Sequence, residues 1–149
     1  MFTTTKCYRE AIDSITEKTY NLEKIKAWEE KLATVFNRGF WDGYYLGRKM
    51  GEWSKDYGSI ATKRKVFIGR GKKYFKHVKI GEFEMETHSL NVGDEIMITG
   101  PSTGIIESTV SELRVNDKTV KKVSKGDLFS FPIDEVVRPS DKLYKMVDA

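Results

Sequence analysis

A run of basic side chains is the most concentrated source of chemistry in this sequence. Between positions 63 and 79 the chain has eight lysines and arginines and no acidic residue. The eight are Lys63, Arg64, Lys65, Arg70, Lys72, Lys73, Lys76 and Lys79. Such a block creates a positive field that attracts polyanions, so it predicts a nucleic-acid-binding surface. A solvated basic face without a partner is the alternative.

Three glutamates follow this run at alternate positions. Glu82, Glu84 and Glu86 share one face if the segment is a β-strand. Three carboxylates on one face could hold a hard cation such as Ca²⁺. A solvated outer face, with Phe83 and Met85 turned inward, is the interpretation we favour, so no metal site is predicted.

Residues suited to covalent or acid–base catalysis are scarce. The chain has one cysteine, Cys7, which excludes an internal disulfide and any zinc or iron–sulfur site built from cysteines of this chain. Its two histidines are His77, expected at the surface within the basic run, and His88. Cys7 lies in a predicted helix and is expected to be a small buried residue. Because no set of nucleophile, base and orienting group is visible, we predict that this chain alone is not an enzyme and holds no cofactor.

Two glycine-containing segments resemble phosphate-binding loops only superficially. Gly69-Arg70-Gly71 lacks the third glycine of a dinucleotide-binding motif, since position 74 is tyrosine. Residues 100–104 contain two glycines but lack the Lys-Ser/Thr pair of a P-loop. Both segments are predicted to be turns.

Residues 36–58 combine seven aromatic residues with five glycines and follow neither helical nor strand periodicity. Exposed aromatic rings near Arg38 could stack on nucleobases, as in single-strand-binding proteins. Alternatively these rings are core and clamp the preceding helices onto the rest of the fold, which is the interpretation we favour. The rings concerned are Phe40, Trp41, Tyr44 and Trp53.

Two helices are predicted before this segment. The first covers about residues 5–17 and places Tyr8, Ala11, Ile12 and Ile15 on one stripe. The second runs from about Leu22 to Val35, with Asn21 as its N-cap and Ile25, Trp28, Leu32 and Val35 on one face. Both apolar stripes need a surface to pack on.

From about residue 65 the pattern changes to short β-strands separated by turns. Strands are predicted at 66–68, 74–80, 82–87, 95–99, 104–115, 118–123 and 128–133, with glycine-containing turns at 69–71, 93, 100–104 and 126. The segments 74–80 and 82–87 form either two strands or one long bent strand. The fold class is therefore α+β: a helical segment followed by a small antiparallel β-barrel. We place the boundary so that residues 1–62 form the helical part and residues 63–149 the barrel.

Length and composition agree with a soluble globular chain. It has 149 residues, 39% hydrophobic and 32% charged, with a net charge of +4. No apolar stretch approaches the roughly 20 residues that span a bilayer, and the N-terminus has no apolar signal region. We therefore predict no membrane partner and a cytoplasmic location.

A family resemblance is carried by several short motifs. Asn37-Arg38-Gly39-Phe40, with Gly43-Tyr44-Tyr45-Leu46-Gly47, resembles a signature of the collagenase-like peptidases of class U, family 32. Residues 92–96, 99–104, 112–115 and 137–144 resemble the C-terminal domain of that family. The barrel part also resembles the second domain of translational GTPases, which commonly touches tRNA or ribosomal RNA.

The first resemblance implies that the chemistry lies outside this chain. Family members carry a large TIM-like catalytic domain before this part, and residues 1–62 would be the tail of that domain. Members thought to act in tRNA hydroxylation hold an iron–sulfur cluster through cysteines that are not present here. Neither peptidase nor hydroxylase chemistry can therefore be assigned to residues of this chain.

The function predicted from the sequence is that of a non-catalytic accessory module. It would help a family-32 enzyme bind its substrate, an RNA such as tRNA, with the eight basic residues of the 63–79 run contacting phosphates. The alternative is a structural or protein-interaction domain that packs on the missing catalytic domain or self-associates. The sequence does not determine the oligomeric state.

Overall fold

A computed structural model describes residues 1–40 and 58–149 of the chain. These residues divide into two compact units. The helical unit consists of Met1–Arg64 with Asp148–Ala149, and the sheet unit consists of Lys65–Val147. The predictions made for Trp41, Tyr44 and Trp53 lie outside the described residues. No helix in residues 1–40 and 58–149 is long and apolar enough to cross a membrane.

Two helices and ten strands make up the described secondary structure. The helices are α1 (Phe2–Thr16) and α2 (Leu22–Ala33). The strands are β1 (Lys63–Phe75), β2 (Ile80–Met85), β3 (Ser89–Asn91), β4 (Glu95–Gly100), β5 (Gly104–Thr109), β6 (Leu113–Val115), β7 (Lys118–Val120), β8 (Lys122–Ser124), β9 (Leu128–Pro132) and β10 (Lys142–Asp148).

Helix α2 forms as its sequence predicts. The backbone N–H of Lys24 donates to Oδ1 of Asn21 at 2.9 Å, which satisfies one of the unpaired donors at the helix start. Trp28 is buried, and Ile25 and Leu32 on the same face are partly buried. The predicted cap and apolar face of α2 are confirmed.

Helix α1 also forms, but its apolar stripe is not its buried side. Tyr8, Ile12 and Ile15 are exposed, whereas Cys7 and Ser14 are buried. The indole of Trp28 on α2 donates to Oε2 of Glu10 at 3.0 Å. This bond turns the face of Glu10, and not the stripe, toward α2.

The strands form a mainly antiparallel sheet. Its order is β5-β4-β10-β1-β2-β9-β6-β7, and β3 pairs with β8 as a separate two-stranded sheet. The antiparallel pairs include β1–β2, β2–β9, β4–β5 and β4–β10. The prediction of helices followed by an antiparallel β-structure is confirmed.

The sheet is not a closed barrel, so that part of the prediction is wrong. Its order ends at β5 on one side and β7 on the other, and no pairing between these two strands is present in the described sheet. The chain around residues 113–124 is divided into three-residue strands, one of which, β8, pairs with β3 apart from the main sheet. Closure needs every strand to pair on both sides, which this arrangement does not provide.

The core of the sheet unit is aliphatic and aromatic. Phe83, Phe129 and Phe131 stack with ring centroids 4.7 to 6.1 Å apart and are at most 2% exposed. Around them are packed the buried aliphatic residues Ile68, Met85, Ile98, Leu113 and Leu143. Phe83 and Met85 point inward, as the alternation of β2 predicts.

Two local predictions are wrong near the start of the sheet. The segment 74–80 is not a strand, because β1 ends at Phe75 and a turn at 76–79 leads into β2. Gly69 and Gly71 do not form a turn but lie within β1. A Cβ at Gly69 would lie 2.1 Å from the carbonyl oxygen of Glu84, and one at Gly71 would lie 2.8 Å from that of Arg138. These glycines therefore permit close approach of neighbouring backbone segments.

Candidate nucleic-acid interface

The basic run lies mostly on one strand. Six of its eight residues belong to β1, and the other two, Lys76 and Lys79, belong to the turn that follows. We call Lys65, Arg70, Lys72 and Lys73 the β1 basic face; all four are exposed. Lys63 and Arg64 precede them on the same strand and are counted with the first unit, Lys63 partly buried and Arg64 exposed.

The three alternating glutamates of β2 lie beside this basic face. The antiparallel register puts Arg70 opposite Glu84. Nε of Arg70 lies 3.1 Å from Oε1 of Glu86, and Nζ of Lys72 lies 2.5 Å from Oε2 of Glu84. Two of the three glutamates are thus ion-pair partners of the basic face. Among the described residues no group of three or more potential ligands is placed to hold a metal ion.

Aromatic rings lie under three of the basic side chains. The pairs are Lys65 over Tyr144, with Nζ 4.8 Å from the ring centroid, Arg70 with its Cζ 6.0 Å from the centroid of Phe67, and Lys73 with its Nζ 4.9 Å from that of Phe75. A cation within about 6 Å of a ring face is attracted by the ring quadrupole. These contacts hold the aliphatic stems along the sheet while their charged ends stay in water.

The turn after β1 extends the basic surface. Lys76, His77 and Val78 are exposed there. Nζ of Lys79 lies 2.8 Å from Oδ1 of Asp134, and this hydrogen bond raises the pKa of Lys79. Arg70, Lys72 and Lys79 of the original run are therefore paired with carboxylates. The sequence separates these partners by up to 55 positions, so only the fold reveals them.

The Asn37-Arg38-Gly39-Phe40 motif forms the turn that ends α2. The Nδ2 group of Asn37 donates to the carbonyl oxygens of Ala33, at 3.3 Å, and Val35, at 2.8 Å. Its Oδ1 accepts from the backbone N–H of Gly39 at 3.1 Å. Gly39 has φ +89°, a left-handed conformation that favours glycine. The Asn-x-Gly spacing is therefore explained by the local turn.

The flanking members of that motif point outward. Phe40 is 61% exposed, and Arg38 is also exposed. A core residue is shielded from water, whereas most of the surface of Phe40 is in contact with solvent. The core role favoured for Phe40 is therefore wrong for this ring.

A polar cleft of about 420 Å³ lies between α1 and α2. Its polar lining includes Glu10 and Asp13 of α1, Glu17 directly after that helix, and Lys24 and Lys31 of α2. The hydrogen bond from Trp28 and the nearby Lys31, whose Nζ lies 3.5 Å from Oε2 of Glu10, lower the pKa of Glu10. The i, i+3, i+7 spacing of the three acids is the signal in the sequence that predicts their shared helix face.

The potential catalytic residues are dispersed. Cys7 is 3% exposed, and burial raises the pKa of its thiol, so it is a poor nucleophile. The prediction of a small buried residue is confirmed. His77 is exposed, as predicted, and His88 is exposed beside the turn before β3.

Comparisons with known proteins connect this chain to one peptidase family. Residues 1–55 match the model of peptidase family U32. A protein of Porphyromonas gingivalis (strain ATCC BAA-308 / W83) named collagenase is 53% identical over 145 residues. That alignment covers 97% of this chain but 35% of the relative. An uncharacterized protease of Methanocaldococcus jannaschii is 35% identical over 144 residues, covering 95% of this chain and 35% of the relative.

A solved structure agrees with the fold. The crystal structure of the C-terminal domain of a Geobacillus thermoleovorans protein assigned to U32 peptidases superposes with a TM-score of 0.50 and 16% sequence identity. It covers 53% of this chain and 90% of that domain. The resemblance predicted from the motifs is confirmed, and the chain spans about a third of the length of the relatives named above. The likeness to translational GTPases stays a prediction.

Proposed function

We propose that this chain, which is related to the C-terminal region of peptidase family U32 proteins, is a non-catalytic accessory region that binds RNA for the larger protein. The observation that carries the proposal is the β1 basic face, where exposed cations of β1 lie over aromatic rings of β10 and β1. Single-stranded nucleic acids are bound by this combination of positive charge and stacking surface. The chemistry would be supplied by the part of the protein outside this chain.

Charge on this surface remains positive after its ion pairs are counted. Six of its basic residues belong to the sheet unit, namely Lys65, Arg70, Lys72, Lys73, Lys76 and Lys79, and the neighbouring elements bring four carboxylates to them, those of Glu82, Glu84, Glu86 and Asp134. Ion pairs between exposed side chains contribute little to stability, so a phosphate can replace a glutamate as the partner of Arg70 or Lys72. Lys73 and Lys76 complete a phosphate-binding track along β1 and its turn.

Phe75 supplies the stacking surface. It is 38% exposed at the end of β1, directly under Lys73. The Lys73 ammonium lies over this ring, so a base would stack there in its place and leave the ammonium to bind the adjoining phosphate. Because stacking needs an unpaired base, the proposal favours single-stranded RNA over duplex RNA. RNA binding also agrees with a cytoplasmic location, which the single free cysteine favours.

A fluorescence anisotropy titration of a labelled single-stranded RNA and of a tRNA tests this function at two salt concentrations. The triple variant Lys72→Glu, Lys73→Glu, Lys76→Glu should weaken binding at least about tenfold, because it removes three phosphate contacts. Each lost contact should also lower the salt slope by roughly 0.7–0.9. Lys6→Glu, Lys26→Glu, Lys118→Glu is the matched control, because these exposed lysines belong to other elements, α1, α2 and β7. Equal losses in both variants, or salt-independent binding, would refute the proposal.

A further inference from the structure

An apolar stripe on α1 is exposed to solvent. Tyr8, Ile12 and Ile15 are 64%, 56% and 61% exposed. Their spacings of four and three residues place them side by side along one helix face. We call these three residues the α1 stripe. Amphipathic helices of folded domains normally bury such a stripe, so this one indicates a surface that another structure covers.

The α1 stripe is separate from the contact with α2. At 100° per residue, its centre lies about a third of a turn or more from the buried Cys7 and Ser14. Ionised residues fall on the remaining side of the helix, and the stripe is bordered by Thr5 and Thr16 on one side and by Ala11 on the other. The charged residues of α1 are Lys6, Arg9, Glu10 and Asp13, with Glu17 directly after its last turn. A partner that covers the stripe therefore has no charge on it to desolvate.

A membrane surface does not fit this helix. Interfacial helices carry lysines and arginines on their polar face, which anionic lipids attract. Helix α1 has two acids, Glu10 and Asp13, against two basic residues, Lys6 and Arg9, so it carries no net positive charge to attract such lipids. Charge therefore favours a protein partner.

We infer that the α1 stripe is the surface through which the helical unit docks on the rest of a U32 protein. The relatives extend well beyond the matched region, since this chain spans 35% of each of two of them. About two thirds of such a protein is thus available, in the same polypeptide, to cover the stripe. The inference rests on the relationship to U32 proteins and not on RNA binding.

A chimera provides the test. The 145 matched residues of the Porphyromonas gingivalis relative are replaced by this chain, and Ile12→Cys is introduced both in the chimera and in the isolated 149-residue chain. Labelling of the new thiol at position 12 by a thiol reagent is followed by peptide mass spectrometry. Val78→Cys is the matched control, because Val78 is 62% exposed but lies in the turn after β1.

We expect the thiol of the Ile12→Cys variant to react at least about tenfold more slowly in the chimera than in the isolated chain. The thiol of the Val78→Cys variant should react equally fast in both. Equal rates in both proteins at position 12 would overturn the inference. Protection of position 12 in the isolated chain that grows with protein concentration would overturn it too, by identifying a second copy as the occupant. These outcomes do not depend on the RNA titration.

A second measurement tests the same docking contact through thermal stability instead of labelling. Ile12→Asp should leave the melting temperature of the isolated chain unchanged, because the side chain is exposed there. In the chimera, the same substitution should lower the melting temperature, while Val78→Asp should not. A fall of the same size in both proteins would show that Ile12 is needed within this chain and would refute docking.

Discussion

The hydroxyl of Thr103 donates a 2.5 Å hydrogen bond to Oδ2 of Asp141, a residue that is 2% exposed. The same carboxylate oxygen accepts the backbone N–H of Arg138 at 2.8 Å. The carbonyl oxygen of Asp141 accepts the N–H of Gly71, also at 2.8 Å. The turn after β4, the segment that enters β10, and the middle of β1 are thus joined at one buried aspartate.

Removal of this carboxylate should destabilise the sheet unit. Asp141→Ala leaves the Thr103 hydroxyl and the Arg138 N–H without their acceptor, which costs about 2–3 kcal/mol in the free energy of unfolding. Urea unfolding followed by circular dichroism measures the change. Asp134→Ala is the control, since Asp134 is exposed and its carboxylate pairs with Lys79 at the surface; its effect should be much smaller. Equal effects would contradict the role given to Asp141.

Gly100 should be required because of the same carboxylate. A Cβ at position 100 would lie 1.8 Å from Oδ1 of Asp141, and that side chain is fixed by its hydrogen bonds. Gly100→Ala should therefore cost about 1–3 kcal/mol. In the double variant Gly100→Ala, Asp141→Ala the penalties should be less than additive, because the clash is gone. Additive effects in urea unfolding would show that the two positions do not interact.

Asn37 should stabilise the end of α2 through its amide. Asn37→Ala removes hydrogen bonds to Ala33 and Val35 and should reduce the free energy of unfolding by about 1 kcal/mol. Asn37→Asp keeps the oxygen that accepts from Gly39 but turns a second carboxylate oxygen toward the carbonyl oxygens of Ala33 and Val35 at the negative end of α2, so it should be at least as destabilising as alanine in urea unfolding. Glu29→Ala, on the exposed side of α2, is the control and should be neutral.

The Asp94–Lys145 pair should give the chain a measurable acid sensitivity. Burial by itself would raise the pKa of Asp94, but hydrogen bonds from Lys145, at 2.6 Å, and from Asn91 lower it below its usual range. A carboxyl whose folded pKa is lowered contributes stability that is complete above its unfolded pKa of about 3.9. That contribution is lost as the pH falls through the folded pKa.

Lys145→Met should therefore change both stability and its pH dependence. Loss of the partner of a half-buried carboxylate should cost about 1–3 kcal/mol near pH 7. Without Lys145, burial would raise the pKa of Asp94 in the folded state toward its unfolded value. The variant should therefore lose less stability than the wild type as the pH falls below about 4. Urea unfolding between pH 3 and pH 7 measures both effects, with Lys142→Met, an exposed lysine of the same strand, as control. An unchanged pH profile would show that Lys145 does not hold the pKa of Asp94 down.

The glutamates of β2 should limit RNA affinity. Glu84→Gln with Glu86→Gln releases Lys72 and Arg70 from their ion pairs while keeping the side-chain shape. RNA affinity should rise, and the salt slope should steepen by roughly 0.7–0.9 for each new phosphate contact. Glu29→Gln with Glu30→Gln, on α2, changes the net charge equally and should have a smaller effect. An equal rise in both variants would show that total charge, and not this face, controls binding.

Some features were predictable because they depend on near neighbours in the chain. The Asn21 cap, the buried face of α2 and the inward residues of β2 follow from side-chain chemistry and the periodicity of one element. The same logic failed at Gly69 and Gly71, which resemble turn glycines. Their small size is instead required by the backbone of Glu84 and Arg138, which pass close to β1.

Residue order alone determined a helical part, a strand-rich part, a positive run and the family relationship, since each is a property of composition or of contiguous motifs. Tertiary structure decided which charges neutralise one another and which apolar residues remain exposed to solvent. The glutamates of β2 and the cations of β1 become partners only through the register of two strands, and the α1 stripe is exposed because the Glu10–Trp28 contact fixes the rotation of its helix. Both outcomes depend on interactions across the fold, which local patterns do not specify.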